Sequence, residues 1–175
     1  MKADDVVKAK LEMFGINDLK KDTTVIDQPT VWSDTSAPFK VKTIELNDLD
    51  EIKRHIGNCN NHFAKGVLKE SINMNLAATI TEVTSENVHT AANAYIYGNS
   101  EQLQHLKGQI EKVICPVTVH VAEAINYTIS SEMIIAPGDP KQLVADTLTF
   151  TDNGKITCYG VLGISVNKLV NAKTK

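Results

Sequence analysis

Arginine is nearly missing from this chain: Arg54 is the only one, and every other basic side chain is a lysine. The guanidinium fork is the group that grips phosphates and base edges through two contacts at once. Its scarcity, with a net charge of −3, argues against a nucleic-acid partner. Aromatic residues make up only 5% of the chain, so the core it builds has to be mostly aliphatic. The three cysteines, Cys59, Cys115 and Cys158, are odd in number and lack framework spacing, which argues against a disulfide scaffold. No apolar run approaches the length of a membrane span. The opening "MKADDVVKAKLEMF" puts an acid pair where a secretory leader needs its apolar stretch. The expectation is a cytoplasmic protein without a membrane span.

Catalytic fingerprints are missing too. There is no GxSxG, no P-loop and no dinucleotide motif, and "YGVLG" is too short and lies in strand-like sequence. No cofactor is expected on these grounds.

What is present is a pattern of elements. With 175 residues the chain is long enough for one domain with a real core, taken as 1–175. Helix spacing marks three segments. The first, within 1–16, puts Val7, Leu11 and Phe14 on one stripe and ends at Gly15. The second, 48–57, carries Leu49, Ile52 and Ile56 behind an Asn47 or Asp48 cap, with Gly57 placed for a left-handed end. The third, 100–114, starts at Ser100 and aligns Leu103, Leu106, Ile110 and Val113.

Elsewhere apolar residues alternate, as from Ile72 to Ile80, in "VTVHV", and through Leu148, Phe150, Ile156, Cys158, Leu162, Ile164 and Val166. Valine, isoleucine and threonine dominate these runs, as a half-buried pleated surface favours. The fold class expected is therefore mostly β with a few short helices.

Two architectures fit the second half. "TDNGK" can close a three-residue hairpin that pairs Phe150 with Ile156, giving an antiparallel sandwich or barrel. Alternatively, short strands and glycine corners at Gly154 and Gly160 suit a β-solenoid. The stretch "ADTLTFTDNGKITCYGVLGISVNKLV" is similar in texture to the rungs of parallel β-helix proteins, and that resemblance favours the solenoid. The N-terminal helix would then cap an open end.

Chemistry has two candidate locations. "RHIGNCNNHF" packs His55, Cys59 and His62 into eight positions, side chains that zinc prefers. Gly57 interrupts the helix that would align His55 with Cys59, so no metal is expected there. In "VHVAE", Glu123 could orient His120 as a general base. His89 and His105 stand alone in polar surroundings. Thr147, Thr149, Thr151 and Thr157 form a flat threonine face suited to pairing with a partner. The function expected is that of a non-enzymatic, self-assembling or partner-binding β-rich protein, a homo-oligomer or a protein complex. The alternative is a small enzyme or ligand-binding fold centred on His120 with Glu123, or on His55, Cys59 and His62.

Overall fold

The computed structural model describes residues 3–15, 23–57, 79–151 and 153–172. These form two compact units, one of residues 1–44 with 118–175, the other of 45–117. No helix among the described residues is long and apolar enough to cross a membrane.

The first unit contains α1 (Ala3–Met13) and strands β1 (Thr23–Ile26), β2 (Thr30–Trp32), most of β3 (Val41–Leu46), all but the first residue of β4 (Val117–Ile129), β5 (Glu132–Ile135), β6 (Lys141–Phe150), β7 (Lys155–Cys158) and β8 (Leu162–Asn171). They build two sheets, one ordered β1-β4-β6-β8 with β3 also on β4, the other β2-β5-β7. From β4 onward the chain alternates between the sheets, and each pass lies parallel to the strand two before it. Between the sheets sits a core of Trp32, Ala122, Ala124, Tyr127, Ile129, Met133, Ile135, Leu143, Ala145 and Leu148, each 0–1% exposed. Val119, Val121 and Val144, on alternate positions to Ala122 and Leu143, are equally buried. The middle of the large sheet is thus dry on both faces, as parallel sheets require.

Inward-facing residues are not spaced by two throughout. In β4 they run Ala122, Ala124, then Tyr127, Ile129, and in β6 Leu143, Ala145, then Leu148, Phe150. Both strands switch faces over the same stretch, which the register stacks on Val166–Leu169 of β8. The Asn167 amide donates to Asp146 Oδ1 at 2.9 Å there, so polar side chains line the corner where the alternation breaks.

The second unit is helical: α2 (Leu49–Ile56), α3 (Val88–Tyr97), a 3₁₀ helix (Ser100–Leu106) and α4 (Lys107–Ile114). The Asp48 carboxylate caps α2 by accepting from the Glu51 amide at 2.8 Å, while Glu51 reaches back to the Asn47 amide at 2.7 Å. Lysine closes helix ends in both units. Lys53 Nζ donates to the carbonyls of Tyr95, Ile96 and Gly98 at the end of α3, at 2.7–3.1 Å. Lys42 Nζ does the same for Phe14 and Gly15 after α1. A cation satisfies orphan carbonyls and opposes the negative helix end together.

These facts correct the expected fold class. The protein is mixed α/β with parallel sheets, neither a mostly β solenoid nor an antiparallel sandwich or barrel. Of the helices read as accessories, the second and third belong with α3 to a compact unit of their own, while the first stays with the sheets. The hairpin at "TDNGK" does not form, because Phe150 and Ile156 lie in different sheets. Gly154 is needed there for close approach, since a Cβ would stand 1.8 Å from the Ile129 carbonyl oxygen. Gly57 likewise has no left-handed backbone (φ −93°); a Cβ would meet Ile96 O at 2.3 Å. Asn99, rather than Ser100, caps the third expected helix, which is 3₁₀ over its first seven residues. Val113, placed on its apolar stripe, is 61% exposed. The strand expected over 72–80 falls almost wholly outside the described residues, and Thr79 and Ile80 are in no strand.

Candidate functional site

His120 sits near the start of β4, directly beside Lys141 of β6 in the parallel register. Two connections bring carboxylates to this pair. After β2, Ser33 makes a tight turn, its amide donating to the Ser36 carbonyl at 2.8 Å and its Oγ accepting from the Ser36 amide, and Asp34 projects from it. After β5, the turn Pro137–Pro140 presents Asp139, with Gly138 at φ +127°. Only glycine fits there, since a Cβ would lie 2.1 Å from Asp34 Oδ2.

The four ionisable groups form one network. Lys141, whose side chain is wholly buried, donates from Nζ to Asp34 Oδ1 at 2.6 Å and to the Asp139 carbonyl at 2.7 Å. The Asp139 amide donates to the same Asp34 oxygen at 3.0 Å. His120 Nε2 lies 3.2 Å from Asp139 Oδ2 and 4.0 Å from Asp34 Oδ1. Partial burial pushes the Asp34 carboxyl up, but the Lys141 ammonium, the Asp139 amide and His120 outweigh it and hold the group below its ordinary range. Beside the network opens a groove of about 210 Å³, lined by Trp32, Phe39, Val41, Thr43, Ser36 and His120 among others. Phe39 bridges Trp32 and Tyr127 edge-on, with centroids 4.8 and 5.5 Å away. The Trp32 indole N–H is buried without an acceptor among the described residues.

A histidine held by a carboxylate at a groove can move a proton. Asp34, His120 and Asp139 also offer three ligand atoms within 4.8 Å of one another. A divalent ion there would have to compete with the Lys141 ammonium, which already neutralises Asp34. The geometry therefore serves first as a pin that ties the two turns to β4 and β6.

The carboxylates that meet His120 are Asp34 and Asp139. Glu123, named with His120 from sequence, is three positions along β4, on the opposite face, and stands beside Val144. His55 is buried on α2 with Nδ1 2.8 Å from the Glu51 carbonyl; Cys59 and His62 lie outside the described residues. His89 and His105 are exposed. Asp34, Asp139 and Lys141 escaped the sequence reading. Their signal was two acids in turn-forming contexts, "SDTS" and "PGDP", and a lysine opening an apolar strand, "KQLVA".

A second surface lies where the sheets end. Read across the large sheet, the inward ladder Ala122–Leu143–Ile164 is 0%, 0% and 45% exposed, and Tyr127–Leu148–Leu169 is 1%, 0% and 65%. In the small sheet Trp32–Ile135–Cys158 ends the same way, with Cys158 exposed rather than buried as its alternation implied. Tyr159 and Val161, between β7 and β8, are 69% and 38% exposed. The core runs out to its surface at this end. At the other end Phe39 and Val41 pack against it. Thr147 and Thr149 of the threonine face are half-buried mid-sheet positions, paired on both sides.

No protein-family model matches this chain, and neither curated proteins nor solved structures supply a match.

Proposed function

We propose that this chain is a non-enzymatic protein that works by association through the end formed by β7 and β8. One observation carries the reading: Ile164 and Leu169, at inward register positions that are buried on the neighbouring strands, are 45% and 65% exposed on β8, beside half-buried Leu162 and Val166. Apolar side chains aligned with a core and left in water gain free energy when another surface covers them. Helix α1 packs against β8, but the strand carries little charge or turn chemistry against further pairing: its ten residues include one charge, Lys168, and no proline. A protein partner suits it better than nucleic acid, given a single arginine and a net charge of −3. Sedimentation velocity over a wide concentration range tests the reading. Association that Leu169→Lys abolishes supports it; a monomer at every concentration, with no partner retained by the wild type and lost by the variant, removes it.

The histidine-centred groove favours a second reading, a small-ligand site, because four ionisable groups and two aromatic rings converge beside it. Ligand-observed NMR against a fragment set, repeated with His120→Ala, decides whether that groove binds anything through the imidazole.

A further inference from the structure

Resting on the association reading above, we infer that the partner is a second copy of this chain, joined by antiparallel pairing of β8 with β8 about a two-fold axis. Length is the first ground. β8 has ten residues and is bonded on one side only among the described residues. At the other end of the sheets β1 has four residues and β2 three, and Phe39 and Val41 already pack there. Among the described residues, the edge strand that matches a free β8 in length and apolarity is therefore β8 itself. A self-complementary contact closes as a dimer and does not propagate.

The second ground is that both sheets end together. An added peptide strand would complete one sheet and leave the inward positions of the other uncovered. A second copy brings both edges and its own apolar fill.

The third ground is register. Full antiparallel overlap of Leu162–Asn171 with itself sets Ile164 opposite Leu169 of the other copy, and Lys168 opposite Ser165. Directly opposed residues in an antiparallel pair point to the same face. In an evenly alternating strand, positions 164 and 169 would point to opposite faces and this overlap would fail. Here the face switch between Val166 and Leu169 falls at the centre of the overlap, so the two exposed inward residues meet on the core side. The only charge on each strand faces a serine, so the two lysines do not oppose each other.

Cross-linking by register and sedimentation together test this. In a background with Cys59, Cys115 and Cys158 all changed to serine, Ile164→Cys and Leu169→Cys proteins are oxidised separately and as a mixture. The expected result is a disulfide dimer in the mixture, mapped by peptide mass spectrometry to positions 164 and 169. Neither protein alone should cross-link, since like positions lie five residues apart along the strand, roughly 17 Å. Leu169→Lys should weaken the dimer about 100-fold, since each dimer loses two leucine contacts; circular dichroism checks its fold. Val25→Lys, at the opposite end and 52% exposed in the wild type, should leave the dimer unchanged. A dimer sensitive to Leu169→Lys without the 164–169 bond overturns the two-fold register and leaves association by this end standing. Polymers that grow with concentration, or equal sensitivity to Val25→Lys, overturn the closed dimer. A strict monomer overturns it together with self-association.

Discussion

Replacing Asp34 by alanine removes the carboxylate from a lysine whose side chain is wholly buried. Breaking a fully buried ion pair from one side costs about 3–5 kcal/mol, because the remaining charge stays desolvated. Two features reduce that here. The Asp34 side chain is 39% exposed, so water screens the pair, and Lys141 keeps its bond to the Asp139 carbonyl. The expected cost of Asp34→Ala is therefore about 2–3 kcal/mol. Lys141→Met acts differently: it removes the desolvated ammonium and leaves a carboxylate that reaches water and still accepts from the Asp139 amide. That change should cost less than about 1 kcal/mol, and the double variant should fall near Asp34→Ala or recover part of its loss. Urea unfolding at pH 7 followed by Trp32, the only tryptophan, reports on the sheet unit alone. The gap between wild type and Asp34→Ala should be complete above the ordinary carboxylate value of 3.8 and close as pH falls through the depressed folded value. If Lys141→Met proves the more damaging single change, or the pair shows no coupling, Lys141 is not held by Asp34 in the way described.

The face switch predicts that Leu148→Ala costs about 3–4 kcal/mol and Thr149→Ala no more than about 1, by the same urea assay. Unbroken alternation from Ala145 would reverse that order. In the helical unit, Tyr95 donates to Asp50 Oδ1 and accepts from the Gln104 amide; burial first, then the Asp50 bond, pushes its phenol up to about 12. Its folded state holds the proton more tightly than the unfolded one, so its contribution is whole below pH 10 and lost as pH rises toward 12. Tyr95→Phe should flatten the alkaline limb of stability measured by circular dichroism; an unchanged limb would mean another group controls it.

Local periodicity was legible wherever one rule held along a segment. Val7 and Leu11 of α1 and Phe14 just after it are buried as their spacing implied, and Leu103, Leu106 and Ile110 are buried too. The pattern misled where a tertiary contact set the geometry. Gly154 sits in a good hairpin context, yet it is required by the carbonyl of Ile129, 25 positions earlier. Helix α3 carries a weak signal, since half of "VHTAANAYIY" is β-branched or aromatic, although Val88, Ala91, Ala92 and Tyr95 share a helical face. The site was the least legible part. Asp34 and Asp139 stand 105 positions apart and meet only because successive strands stack in register. Any search by spacing near His120 finds Glu123 instead.

Because lysine performs the structural work of a cation throughout this chain, the folded state can be recorded chemically. A primary amine takes an acyl group that a guanidinium would refuse, but only when it reaches solvent. Lys155, with a side chain 60% exposed, should acylate freely, whereas Lys141 at 0% is shielded until the sheets part. The labelling rate at Lys141 would thus count openings of the protein one molecule at a time. Each event would also be final, since the acyl group adds bulk to a side chain that is wholly buried in the folded state. A chain caught open once would carry that history as a barrier to closing again.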